Sequence, residues 1–212
     1  MIDVHTYLLF VGAAFVLVIV PGPDMAYMLA RTVAQGRRAG FLAAAGINTG
    51  AYIHVLASTL GLTAILAASS AAFTVVKLLG AAYLIWIGIQ AIASKRHSLK
   101  NEGESLPRSN GRMIFWQGFW SDVLNPKVAI FFLAFLPQFV DVNHQNMSVR
   151  AQLLVLGVTC NVVAICTNLV LVYFASAMTD RLRRSTRIVV WLHRVMGSLF
   201  VALGLRLARE RL

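Results

Sequence analysis

Two short polar stretches interrupt apolar runs of this sequence, and each combines proline with a chargeable side chain. Residues 21–24 read Pro-Gly-Pro-Asp near the end of one run, and residues 125–127 read Asn-Pro-Lys inside another. Proline removes a backbone hydrogen bond from a helix, so peptide groups beside it need other partners. The carboxylate of Asp24 and the ammonium of Lys127 could together bind a small molecule of mixed charge or carry a proton.

The composition places these stretches in a membrane protein. The chain has 212 residues, of which 58% are hydrophobic and 13% charged, and its mean hydropathy is +0.73. Soluble domains carry about 25% charged residues. A hydrocarbon core about 30 Å thick takes about 20 helical residues to cross, and six apolar runs are long enough. The runs are 4–33, 39–67, 71–93, 113–140, 151–178 and 188–207. Apolar and polar residues do not alternate along these runs, as they do in the strands of a membrane barrel. The sequence therefore predicts an all-α protein with six transmembrane helices.

The two broken runs stand first in corresponding halves of the chain. Residues 1–94 and 113–212 each hold three runs, and the polar segment 95–112 joins them. A repeat with an odd number of helices must insert with opposite topology in its second copy. We therefore predict one transporter domain of two inverted three-helix repeats, with the broken helices facing each other at the centre. The residues predicted to break these helices are Pro21, Gly22, Pro23 and Pro126.

The net charge of +11 could indicate nucleic-acid binding, but its distribution favours a lipid bilayer as the partner. With six crossings, the loops after the first, third and fifth runs hold twelve of the nineteen lysines and arginines, and the opposite side holds five. The positive-inside rule makes the richer side cytoplasmic and places both termini outside. The three arginines in residues 206–211 oppose this orientation, so five crossings with one re-entrant run remain an alternative.

Asp24 is the strongest candidate site residue of the first half. It lies near the start of the half-helix that follows the break, where the positive end of the helix dipole favours an anion. An N-cap is the plainer interpretation, but acidic residues inside membranes are usually functional. On the second run, Asn48, Tyr52 and Thr59 fall near one face and predict a polar stripe. His54 lies off that face, which favours an ordinary interhelical hydrogen bond.

Lys127 is the candidate site residue of the second break. A zwitterionic substrate needs a partner for each of its charges, and Asp24 could hold an ammonium while Lys127 or free amides hold a carboxylate. The alternatives for Lys127 are an ion pair with Asp122 or Asp24 and the capping of carbonyls freed by Pro126. Proton and substrate ammonium would compete for Asp24, which gives a simple exchange cycle. Orienting hydrogen bonds are predicted from Asn48, Asn125 and Asn161.

Several motifs together resemble the LysE/RhtB family of amino-acid exporters. They are residues 21–24, 31–40, 46–50, 125–127 and 131–139. The resemblance covers residues 1–207. It implies a six-helix bundle in the bacterial inner membrane that exports amino acids or their derivatives, driven by proton entry, with its site residues in the two proline motifs.

Other classes of membrane protein fit the sequence less well. An enzyme or redox carrier would need a nucleophile motif or a metal or thiol cluster, whereas Cys160 and Cys166 are six residues apart and predicted to be inert. A divalent-metal exporter would need several deep carboxylates, and only Asp24 is expected to lie deep. A structural membrane protein would not need paired polar breaks. No cofactor is expected, and the sequence leaves open whether Gly46 and Gly50 serve the internal fold or a homodimer.

Overall fold

The computed structural model describes four stretches of the chain and a few isolated positions between and after them. They are residues 2–20, 22–68, 108–141 and 147–177, with positions 74–75, 78–79, 81–82, 85–86, 89, 194, 198, 201–202 and 205. Every regular element within them is helical. Pro21, most of the linker and nearly all of the runs predicted at 71–93 and 188–207 lie outside the described residues.

The first run consists of two helices that meet at an angle. Helix α1 spans Val4–Ile19, and helix α2 spans Pro23–Gln35. Gly22 is the N-cap of α2, and Pro23 takes the first helical position, where no backbone donor is needed. The two helix axes differ in direction by 55°. The run is therefore bent where the sequence predicted a break.

Helix α3, Arg37–Ala68, follows α2 after a single residue. That residue, Gly36, has a φ of +84°, a backbone conformation that L side chains rarely adopt. Its N–H donates to the carbonyl of Thr32 at 3.0 Å and so closes the last turn of α2. Glycine at this position allows the second predicted span to begin directly after α2.

The second broken run has the same plan, with a more irregular second part. Helix α4 spans Gly111–Val123, and helix α5 spans Pro126–Ile130 with Asn125 as its N-cap. The chain continues through a π-helical turn at Phe131–Phe135 and a 3-10 turn at Leu136–Phe139. The two parts of this run are bent by 44°. Helix α6 then spans Val149–Ala177.

Glycines let α3 and α4 pack backbone against backbone. A Cβ atom on Gly46 would overlap the carbonyl oxygen of Phe115, and one on Gly50 would lie 2.7 Å from the carbonyl oxygen of Phe119. On α4, a Cβ on Gly118 would lie 2.6 Å from the carbonyl oxygen of Ala43. Small residues at such spacing are how helices approach closely in membranes. Gly46 and Gly50 are thus used within the chain itself.

Large apolar side chains fill the space between α1, the turns after α5, and α6. The fully buried members of this cluster include Phe10, Phe131, Leu136, Leu153 and Leu156. The opposite surface of α6 is apolar and exposed. Its exposed side chains include Val162, Leu169, Val170, Tyr173 and Phe174. An apolar outer surface is expected for a helix that faces lipid.

The described residues contain two helical stretches that are each long and apolar enough to cross a membrane. These are Arg37–Gly61 and Val149–Ala177, and the number rises to four if each bent pair forms one span. All four coincide with predicted runs. The structure is consistent with a multi-pass, all-helical membrane protein, and the remaining two predicted spans lie largely outside the described part.

Candidate functional site

Asp24 connects the first break to the second through both of its carboxylate oxygens. The side chain is buried in the first turn of α2, one residue beyond Pro23. Its Oδ1 accepts a hydrogen bond from Ser121 Oγ at 2.6 Å, and its Oδ2 accepts one from Asn125 Nδ2. Gly22, and not Asp24, is the N-cap, so the plainer interpretation of Asp24 as the cap was wrong. A carboxylate in this first turn still lies favourably in the field of the helix dipole.

Lys127 reaches from the second break to the end of α1. Its Nζ donates hydrogen bonds to the carbonyl oxygens of Leu17 at 3.2 Å and Val20 at 3.1 Å. These carbonyls belong to the last turn of α1, where helix acceptors lack intrahelical partners and a cation is favoured. A Cβ on Gly22 would lie 3.0 Å from the same Nζ, so the glycine leaves room for the lysine. Lys127 therefore caps α1. The sequence had left three roles open for it, which are substrate contact, an ion pair with Asp122 or Asp24, and capping of carbonyls freed by Pro126, and the carbonyls it bonds belong to α1 instead.

Asn125 forms hydrogen bonds with residues of both breaks. Its Oδ1 accepts the backbone N–H of Lys127 at 3.0 Å, which caps α5, and its Nδ2 donates to Asp24. An amide side chain offers a donor and an acceptor at once, and both are used here in different directions. Together with the contacts of Asp24 and Lys127, this places the two predicted breaks against each other.

A small cavity with both apolar and polar lining residues lies beside these contacts, among helices α1 to α6. Its volume is about 60 Å³. The polar and titratable side chains that line it are Asp24, Asn48, Asp122, Lys127, Cys160, Asn161 and Asn168. Since one water molecule needs about 10–15 Å³ by this measure, the cavity has room for a few waters.

Three asparagines from α3 and α6 form a hydrogen-bonded group at this cavity. Asn161 Nδ2 donates to the backbone oxygen of Asn48 at 3.1 Å, and Asn168 Nδ2 donates to Asn48 Oδ1 at 3.2 Å. The structure thus brings Asn48 and Asn161, both predicted site residues, into contact. Asn168 was missed, although it lies seven residues after Asn161 and hence on the same face of the helix. Tyr52 departs from the predicted stripe: its position at the edge of that face leaves its side chain 43% exposed.

Asp122 is a second acidic residue deep in the protein, so the prediction that only Asp24 lies deep was wrong. Its side chain is 3% exposed and lines the cavity from the end of α4. His54 Nε2 donates to the Asp122 backbone oxygen at 2.9 Å and lies 3.8 Å from Asp122 Oδ2. Because a carbonyl oxygen can only accept, Nε2 of His54 carries the proton in this contact. The interhelical hydrogen bond predicted for His54 is confirmed.

Two buried acceptor atoms at the cavity have no hydrogen-bond donor. They are Asp122 Oδ2 and Asn161 Oδ1. A buried polar atom left without a partner costs about 1–3 kcal/mol, and more when the group is charged. Such atoms are rare in folded proteins unless a water, an ion or a ligand bonds to them. Both oxygens can therefore accept a hydrogen bond from a group that enters the cavity.

Comparison with known proteins identifies the family. The sequence model described as LysE type translocator matches residues 15–211. This chain belongs to the LysE type translocators. A leucine efflux protein of Klebsiella pneumoniae is 30% identical over 96% of this chain and 93% of its own length. A leucine efflux protein of Enterobacter sp. is 28% identical over 94% and 93%, and the uncharacterized membrane protein YrhP of Bacillus subtilis is 29% identical over 95% and 98%. No solved structure matches.

The family membership makes this translocator a membrane transport protein and not an enzyme, as the sequence predicted. Its two deep carboxylates do not amount to a metal cage. Within the described residues, no group of three or more His, Cys, Asp or Glu side chains is arranged to hold a metal ion. The cysteines of this translocator are both free thiols, with Cys160 buried and Cys166 exposed on α6.

Proposed function

We propose that this translocator exports amino acids or close derivatives from the bacterial cytoplasm across the inner membrane, in exchange for protons. The observation that carries the proposal is the cavity at the two helix breaks, where Asp24, Lys127 and three asparagines stand among apolar lining residues. Such groups are costly in hydrocarbon and are usually retained for a substrate or ion path. Leucine and related neutral amino acids are the first substrates to test, because two relatives are named leucine efflux proteins.

The cavity offers groups of both signs for a zwitterion. Lys127 uses two of the three hydrogens of its ammonium on carbonyls of α1, which leaves one for a substrate carboxylate. The acidic residues that line the cavity offer acceptors for the substrate ammonium. Asn48 and Asn161 supply further hydrogen bonds, while Asn125 keeps the breaks together. A charge moved into hydrocarbon without such partners would cost several kcal/mol or more.

Asp24 is the proposed proton-coupling residue. Protonation would remove the charge that strengthens its hydrogen bonds with Ser121 and Asn125, and those bonds join α2 to the second break. Loosening this connection would allow the two breaks to move apart and the cavity to open. A proton entering across 100 mV supplies about 2.3 kcal/mol, which could concentrate a substrate outside roughly fifty-fold.

The proposed membrane arrangement has six helices in two inverted repeats, within one domain that spans residues 1–212. The paired breaks support it, because a broken helix at the same place in each half is the usual sequence sign of inverted repeats in transporters. The excess of basic residues on one side supports a cytoplasmic location for the linker 95–112. A homodimer is compatible with this arrangement but has no specific support.

Efflux from preloaded cells tests the transport proposal. Cells that overproduce the protein are loaded with each labelled amino acid in turn, and the loss of label is followed with and without a protonophore. Faster loss of one class, abolished by the protonophore, is the expected result and names the substrate. Unchanged loss for the whole panel, with the protein present in the membrane, would contradict amino-acid export.

The coupling proposal is tested with Asp24→Asn. This change keeps the size of the side chain and removes the titrating carboxylate, so efflux should lose its dependence on the proton gradient. Asp3→Asn is the matched control: Asp3 is exposed at the start of α1, and asparagine is an equally good N-cap. Full proton-dependent export by Asp24→Asn would exclude Asp24 as the coupling residue.

A further inference from the structure

The two buried acceptors without donors lie on different helices that face one cavity. Asp122 is at the end of α4, and Asn161 is in the middle of α6. Both side chains line the cavity, and both are at least 97% buried. Neither Asp122 Oδ2 nor Asn161 Oδ1 has a hydrogen-bond partner. Each atom can accept a hydrogen bond from an N–H donor, which a substrate ammonium offers and a substrate carboxylate does not.

The charges around the cavity point to the same kind of group. Asp122 is faced by Asp24 from α2, by His54 from α3, by Lys127 from α5 and by the Cys160 thiol from α6. Two of these side chains are acidic, and Lys127 already bonds to two carbonyl oxygens of α1. An ammonium supplies a positive charge together with three N–H donors.

Asp24 is less suited to this role than Asp122. Each oxygen of Asp24 already accepts a hydrogen bond from the second break, and these bonds keep the breaks together. The backbone of Asp122 is fixed by His54, but its Oδ2 is uncommitted. Both oxygens of Asp24 therefore already accept hydrogen bonds, whereas Oδ2 of Asp122 accepts none from the protein.

We propose that the Asp122 carboxylate and the Asn161 side-chain oxygen together bind the ammonium group of the amino acid that is exported. The proposal rests on the proposed function and names the subsite for one end of the substrate. Lys127, on the α5 side of the same cavity, is then left to bind the carboxylate. Asn48 supports the subsite indirectly, because its backbone oxygen holds Asn161 Nδ2 and so leaves Oδ1 of Asn161 available.

The cavity is smaller in this structure than an amino acid requires. Both acceptor atoms are shielded from water, and a volume of about 60 Å³ is far below the roughly 300 Å³ of the smallest typical small-molecule sites. Entry of an amino acid therefore requires the cavity to widen. The ammonium then donates to two acceptors that receive no hydrogen bond from the protein.

Ligand pairs that differ only in the ammonium group provide the test. Binding of leucine and of 4-methylpentanoate, which is leucine without its amino group, is measured by calorimetry on the purified full-length protein in detergent. If efflux identifies another amino acid, that amino acid and its deaminated analogue are used. The wild-type protein should prefer leucine. In Asp122→Asn this preference should fall about 10- to 100-fold, through weaker binding of leucine alone.

Asp24→Asn makes the same chemical change to the other deep carboxylate. It should reduce the preference for leucine over 4-methylpentanoate less than Asp122→Asn does, because both oxygens of Asp24 already accept hydrogen bonds. Asp3→Asn, at an exposed position that does not line the cavity, should leave the preference unchanged. Asn161→Leu, which keeps the side-chain shape, should reduce the preference for leucine about tenfold. This variant tests the ammonium subsite if Asp122→Asn does not fold.

Three results would overturn the proposal. The first is an unchanged preference in a folded Asp122→Asn protein, and the second is a preference lost only in Asp24→Asn. The third is Asp122→Asn losing proton coupling while binding leucine normally, which would assign Asp122 to proton transfer. Each of these leaves amino-acid export intact, whereas a wild-type protein that neither binds nor exports any amino acid would overturn the proposed function as well.

Discussion

Replacement of Lys127 by methionine should destabilise the folded protein measurably, because it removes the cap of α1. Methionine has a similar length but no donor, so the carbonyl oxygens of Leu17 and Val20 lose their bonds to Nζ. Two buried carbonyls without partners cost about 2–6 kcal/mol in total. We expect the lower end, about 2 kcal/mol, because the variant also no longer buries a charge. For a chain of this size, that lowers Tm by about 4–8 °C.

The measurement is thermal unfolding of the purified protein in detergent, followed by tryptophan fluorescence or circular dichroism. Arg38→Met is the control, since it removes a cation from an exposed position on α3 and should change Tm by less than about 2 °C. A Tm for Lys127→Met equal to that of the control would show that the contacts with α1 contribute nothing. Lys127 would then be kept for the substrate alone, and the capping argument would be refuted.

Two further predictions concern the packing and the connection between the breaks. Gly46→Ala should cost about 1–3 kcal/mol in unfolding free energy, because the new Cβ overlaps the carbonyl oxygen of Phe115. Gly12→Ala in α1, where no atom lies within 4 Å of the new Cβ, should be neutral or slightly stabilising, and equal effects at the two sites would contradict the close packing. Ser121→Ala removes a 2.6 Å hydrogen bond to the charged Asp24 and should lower stability by about 1.5–3 kcal/mol. A Tm unchanged from wild type would show that this bond does not connect the breaks in solution.

The positions of the two breaks could be predicted because proline and glycine act locally. Pro23 cannot donate a backbone hydrogen bond, so the helix at this position has to start anew whatever surrounds it. The same reasoning applies to Pro126. The close packing at Gly46 was also predictable, since only the absence of a side chain allows two backbones to approach. Each of these inferences depends on the residue itself and not on its distant neighbours.

The partners of the charged residues could not be predicted, because they depend on which helices meet and at what rotation. Lys127 bonds to carbonyls 107 and 110 residues earlier in the chain, and no local pattern indicates that choice. The depth of Asp122 was missed for a related reason. It stands near the end of a helix, where an acidic residue is usually close to water, and the bend at Asn125 instead turns that end into the interior.

The structure also indicates which parts must move for a substrate to pass. Helices α3 and α4 touch through their backbones, so their separation would expose peptide groups along several turns and is unfavourable in a membrane. The breaks, by contrast, are joined by a few side-chain hydrogen bonds from Asp24, Asn125 and Lys127. Those bonds can be exchanged for bonds to a substrate, and the bonds of Asp24 weaken when it is protonated. The cavity should therefore widen by movement of α1 and α5 about the breaks, while α3 and α4 remain packed as a rigid pair.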